Sequence, residues 1–119
     1  MKFLMMIKHA ESKEGVLPPQ SLMDAMGEFV QEGFTAGWLK ETAGLKRTAQ
    51  GLQIRSKGGK LTFTDGPFTE AKEVVGGFAI VETKTREEAV EIARRFMELH
   101  RIHIPEFDCV SEVRPYDDM

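Results

Sequence analysis

The sequence predicts an α+β domain whose elements run βαββαβ with an extra hairpin in the middle, on three observations. Lys2 to Lys8 and Val74 to Glu82 are apolar at both parities, the mark of strands buried on both faces. Pro19 to Ala36 and Thr85 to about His100 carry apolar residues at helical spacing. Between the two halves, Lys57-Gly58-Gly59 separates two alternating runs, as a hairpin turn does.

Taken in order, the first strand sets Phe3, Met5 and Ile7 against Leu4 and Met6, and a mostly polar loop follows from His9 to Leu17. Pro18-Pro19 opens a helix through Leu22, Met26, Phe29, Val30 and Phe34, with Gly37 as its stop. Trp38 to Leu45 is a short, weak strand, and Leu52 to Ser56 with Lys60 to Thr64 forms the hairpin. Thr85 with Glu88 makes a capping box for a second helix, whose inward stripe is Ala89, Ile92, Ala93, Phe96 and Leu99. Phe107 to Arg114 alternates as a last strand, and an acidic tail closes the chain. Two helices cover one face of such a sheet, yet both central strands are apolar on two. The open face therefore calls for a partner, and a second copy of the chain is expected there.

A length of 119 residues gives one domain, with 41% hydrophobic and 29% charged residues as in ordinary soluble proteins. No run approaches the roughly 18 apolar residues that cross a bilayer, and Met1 to Lys8 is too short for a signal peptide. A membrane is not an expected partner. A net charge of -3 argues against nucleic acid as one. The lone Cys109 forms no internal disulfide, in keeping with a reducing cytoplasm. No P-loop, dinucleotide fingerprint or nucleophile elbow is present, and no cofactor is expected.

The chain is organised around Asp65 to Glu82, DGPFTEAKEVVGGFAIVE. Asp65-Gly66-Pro67 stacks three turn formers: a carboxylate able to accept amides just downstream, a Gly free to take positive φ, and a Pro. Thr69 to Glu73 suits one exposed helical turn, and Gly76-Gly77 inside the next strand predicts a bulge or a close approach by another backbone or a ligand. Asp65 is a candidate acid, base or hydrogen-bond anchor, or else the cap of its own turn. His9 with Glu11 reads as a base and its orienting carboxylate at a strand end, or as a solvated loop pair. Lys72 and Glu73 can bind an anionic ligand or stand as an exposed ion pair. Phe78 follows the two glycines as an apolar contact for a ligand. His100, His103, Glu106 and Cys109 bear metal-ligating groups without a rigid ligand spacing, so helix-terminal histidines favoured by the dipole are expected instead.

The run Asp65-Gly66-Pro67-Phe68-Thr69-Glu70-Ala71-Lys72-Glu73 followed by Gly76-Gly77-Phe78 resembles the signature of the DGPF subfamily of YCII-related proteins. Met1 to Leu4, Gly44-Leu45, Gly58-Gly59-Lys60 before Leu61, and Val113-Arg114-Pro115 stand in the order that resemblance implies. It implies a ferredoxin-like dimeric α+β barrel, with open sheet faces packed together, in bacterial cytoplasmic proteins. The resemblance also implies that some members are fused to or encoded beside extracytoplasmic-function sigma factors. For the wider group it implies a His and Asp acid-base pair in the dimer cleft, the His on the first helix. Pro19 to Ala36 contains no His, so that pair does not carry over, and His9 is the nearby imidazole. Two functions follow: a small-molecule-binding protein or enzyme using a dimer cleft, with Asp65 and His9 as catalytic candidates and Glu11, Lys72, Glu73 and Phe78 contacting the ligand; or a non-catalytic module acting with a sigma factor.

Overall fold

A computed structural model describes residues 1–68 and 72–118. Its elements are β1 (Lys2–His9), α1 (Gln20–Ala36), β2 (Leu39–Gly44), β3 (Leu52–Lys57), β4 (Lys60–Asp65), β5 (Val74–Glu82), α2 (Arg86–His103) and β6 (Val110–Pro115), with 3-10 turns at Glu11–Lys13 and Thr48–Gln50. The four-stranded sheet runs β2-β5-β1-β6, every pair antiparallel, and β3-β4 forms a separate two-stranded sheet. β1 and β2 are thus split by β5, so the first helix connects two strands that do not touch.

Alternation along β1 decides the layers. Phe3 and Met5 are buried and face the helices, where they join Leu39, Val81, Ala89, Ile92 and Ala93 in one core. Phe3 and Val81 are paired across the strands and are the largest side chains fully removed from water. Leu4, Met6, Phe78 and Ile80 lie on the other face, with Leu4 opposite Ile80 and Met6 opposite Phe78. Among the described residues no helix covers that side. The Lys8–Glu112 ion pair, at 2.8 Å, and Arg114 stand beside these apolar residues.

Helix ends follow the local chemistry. Gly37 takes the left-handed conformation at φ 88 and its amide donates to the Gly33 carbonyl, closing α1. At the start of α2 the Glu88 amide donates to Thr85 Oγ1 at 3.2 Å. The Glu88 carboxylate reaches back to the Lys84 amide, one residue before the cap. α2 continues to His103 rather than stopping near His100, since His100, Arg101 and His103 suit the negative end of the helix dipole and Pro105 supplies the stop. A turn in which the Phe107 amide donates to the Ile104 carbonyl takes up the residues after it, so the last strand starts at Val110 and not at Phe107.

The hairpin forms as the two glycines predict, with φ 59 at Gly58 and 77 at Gly59. Its register pairs Ile54 with Phe63 and Leu52 with Asp65, so Leu52, Ile54, Leu61 and Phe63 share one face. All four are more than half exposed, while Gln53, Arg55, Thr62 and Thr64 occupy the other face.

Candidate ligand cavity

β5 carries two adjacent glycines where a sheet would ordinarily present side chains to the helix layer. Gly76 is skipped in the pairing with β1, Ile7 facing Gly77 and Lys8 facing Val75, so the predicted bulge is present. α1 packs on α2 and β2. Between these elements lies an apolar cavity of about 710 Å³. Met5, Ile7, Gly77 and Ala79 form its sheet side; Leu22, Met26 and Phe29 of α1 and Phe96 and His100 of α2 form its helix side; Trp38 and Phe107 close its flanks.

The polar side chains in this lining are His9, Trp38, Thr42, His100 and Ser111; among the described residues no carboxylate, lysine or arginine takes part. Thr42 already donates its hydroxyl to the Phe78 carbonyl at 2.9 Å. The His9 Nδ1 atom is 2.9 Å from the Ala10 carbonyl oxygen, and His100 Nδ1 is 3.0 Å from that of Phe96. A carbonyl oxygen only accepts, so each Nδ1 carries a proton, and the hydrogen bond thereby assigns the tautomer. In the neutral ring each Nε2 is then a hydrogen-bond acceptor and a base. The His9 ring stands edge-on to Phe107, centroids 5.5 Å apart, and that of His100 edge-on to Phe96 at 4.7 Å.

Beyond the cavity, three loops are tied together by two carboxylates. The Phe68 amide donates to Glu11 Oε1 at 2.7 Å, and the Thr48 amide donates to Glu14 Oε2 at 2.9 Å. Thr48 Oγ1 stands 2.6 Å from Glu11 Oε1 and 2.6 Å from Glu14 Oε1, so its single proton serves one carboxylate at a time. The Gly66 amide donates to the Gly51 carbonyl at 3.0 Å. Gly66 is needed for close approach and not for positive φ: a Cβ there would lie 1.7 Å from the Thr48 carbonyl oxygen.

Of the residues singled out from the sequence, His9 lines the cavity, and Phe78 borders it from a strand position whose side chain turns to the open face. Glu11 does not orient His9, whose Nδ1 bonds the Ala10 carbonyl; it braces the Phe68 turn instead. Asp65 is exposed at the end of β4, away from the cavity, and the amides of Gly66 and Phe68 downstream of it are bonded elsewhere. Lys72 and Glu73 are exposed before β5. The helical turn expected over Thr69 to Glu73 falls mainly on 69–71, outside the described residues. His100 stands in the last turn of α2, as the sequence predicts, and also reaches the cavity. The signal for it lies in the stripe Ala89, Ile92, Ala93, Phe96 and Leu99, which residue 100 joins four positions after Phe96. Burial and the neighbouring Asp108 push the Cys109 thiol up. Among the described residues no three His, Cys, Asp or Glu side chains converge as metal ligands. No helix among them is long and apolar enough to cross a membrane.

The family model of the YCII-related domain matches residues 1–98, from β1 into α2. No curated protein matches the chain significantly.

Proposed function

The chain belongs to the YCII-related family, and from that premise we propose that it binds a small molecule in the cavity between its sheet and helices, with proton transfer at His9 as the chemistry the site can supply. The observation that carries this reading is the cavity of about 710 Å³, whose apolar lining is interrupted by two imidazoles. Small-molecule sites are mostly apolar, with few placed polar groups, and span roughly 300–1,000 Å³. Asp65 serves in this reading through the turn it begins, which Glu11 holds in place, and its motif supports placing the chain in the DGPF subfamily.

A metabolite screen by thermal shift tests the proposal. A ligand at about 100 times its dissociation constant stabilises by about 2.7 kcal/mol. Met26→Trp, which fills the cavity from α1, should stay folded and lose the shift. Hits that bind Met26→Trp as well as the wild type would place the site elsewhere. A wild-type protein stabilised by nothing would favour the other reading, a regulatory module acting with a sigma factor.

The strand order β2-β5-β1-β6 around a split β-α-β connection supports a ferredoxin-like assignment. We further propose a homodimer in which the open faces, with Leu4, Met6, Phe78 and Ile80, pack together as a barrel.

A further inference from the structure

Resting on the cavity reading, we propose that the ligand is an uncharged aromatic molecule bearing a hydroxyl group, and that His9 Nε2 accepts the hydrogen bond from that hydroxyl. The lining dictates the first half. Trp38, Phe29 and Phe96 form one aromatic run along the lining, with centroids 5.4 and 6.2 Å apart, Phe107 adds a ring beside His9, and Met5 and Met26 supply soft surface that adapts to a flat ligand. With no lysine, arginine or carboxylate among the described lining residues, an ionic ligand would lose its hydration without gaining a full counter-charge.

The imidazoles dictate the second half. Nδ1 of His9 is committed as a donor to the Ala10 carbonyl, so in the neutral ring Nε2 is an acceptor, and it lies over Gly76, which lines the cavity with His9. Its satisfied partner is an O–H or N–H donor. A ketone or an ether presents only lone pairs and leaves that nitrogen unpaired. An aromatic hydroxyl unites the donor with the ring that the lining favours, and its acidity exceeds that of an alkyl alcohol. Nε2 of His9 can take that proton, leaving an imidazolium and a phenolate with no other atoms exchanged. His9 is assigned ahead of His100 because it borders this cavity alone. His100 also faces a smaller hollow lined by Met97, Arg101 and Cys109. The position of Nε2 is set by the bulge: the ring lies over Gly76, where a Cβ would come within 2.6 Å of it.

Calorimetric titration with 1-naphthol and 1-methoxynaphthalene, two-ring probes differing in the O–H, tests the assignment. Wild-type protein should bind 1-naphthol on the order of 10-fold more tightly, the discrimination of one neutral hydrogen bond. His9→Phe should bring the two within about twofold while still binding the ether, since the lining is intact. Gly76→Ala, whose methyl displaces the ring, should lose most of the preference in a chain that keeps its histidine. Equal binding of both probes by the wild type would overturn the hydroxyl class and leave the cavity reading standing. Binding of neither would overturn both. A preference that survives His9→Phe and disappears in His100→Phe would overturn the assignment to His9.

Discussion

The imidazole of His9 rests on the backbone of Gly76, so closely that a Cβ at that position would stand 2.6 Å from Nε2. The atom in the way is the far end of a side chain that can swing. At Gly66 the obstacle is the Thr48 carbonyl, 1.7 Å from a built Cβ and fixed in the backbone. Gly76→Ala should therefore fold with a near-normal denaturation midpoint and shifted His9 ring resonances. Gly66→Ala should lose at least the roughly 3 kcal/mol at the upper end of overpacking costs. Equal losses at the two positions would contradict this distinction between a movable and a fixed neighbour.

The carboxylate that anchors the Asp65 to Phe68 turn is that of Glu11, 57 residues before the amide it accepts. Removing it leaves the Phe68 amide without its acceptor and the Thr48 hydroxyl with one carboxylate fewer. Hydrogen bonds to charged groups contribute about 1.5–3 kcal/mol each, so Glu11→Ala should cost about 2 kcal/mol in chemical denaturation. Asp65→Ala, at an exposed strand end, should stay within about 0.5 kcal/mol. The reverse order of the two losses would return the anchoring role to Asp65.

These two residues also show how far the sequence could be read. Alternation and turn residues are local properties, so β1, the Gly58-Gly59 hairpin, the Gly37 stop and the Thr85 cap were legible within a few positions. The brace was not, because nothing near Asp65 announces that an amide at Phe68 will find a carboxylate in the loop after β1. Gly66 was legible as indispensable, but for the wrong reason: its turn does not use positive φ, and a carbonyl from a distant loop occupies the space. The cavity was illegible for a related reason. Apolar periodicity tells which face of α1 turns inward, and says nothing about whether that face reaches the sheet. His9 could be picked as an imidazole at a strand end and Phe78 as the residue after two glycines, whereas His100 lay hidden beside an apolar helix stripe.

A second electrostatic test lies on the open face. The hydrogen bond and charge of Glu112 raise the Lys8 pKa, with Glu73 adding to the effect, and the hydrogen bond from Lys8 holds Glu112 below the usual carboxylate range. The Glu112 contribution is in place above the ordinary carboxylate range and is lost as the pH falls through its lowered value. The Lys8 contribution is complete below the ordinary lysine value and is lost as the pH rises through its raised one. The stability difference between wild type and Glu112→Gln should be constant near neutrality and shrink toward both extremes. A difference independent of pH across acid and alkaline denaturation series would show that the pair does not couple to folding.

The fullest prediction concerns the second copy. A folded monomer of 13.4 kDa is expected to expose about 6,500 Å², and this chain alone exposes 8474 Å². Its radius of gyration is 16.0 Å, where a compact domain of this length has about 13.5 Å. The molecule is a slab 19 Å through its thinnest direction, one sheet and one helix layer deep. An excess near 2,000 Å² falls within the roughly 1,000–2,500 Å² that each partner buries in an obligate homodimer. Apolar side chains suited to a partner stand in two places, half-buried on the open face and exposed on the hairpin. Leu4, Met6, Phe78 and Ile80 lie on the open face, and Leu52, Ile54, Leu61 and Phe63 lie on the hairpin, exposed by 54%, 57%, 63% and 66%. A two-stranded hairpin with an uncovered apolar face is marginal on its own, so the partner is expected to stabilise it as well. Light scattering at micromolar concentration should report twice the chain mass. Met6→Glu, with its charge on the open face, should yield monomers or aggregates; Met5 faces the helices and would test only the core. Phe63→Glu should weaken the dimer and raise the amide exchange of the hairpin together. A wild-type protein that stays monomeric at that concentration, with the hairpin amides protected, would show that the chain stabilises these surfaces without a partner.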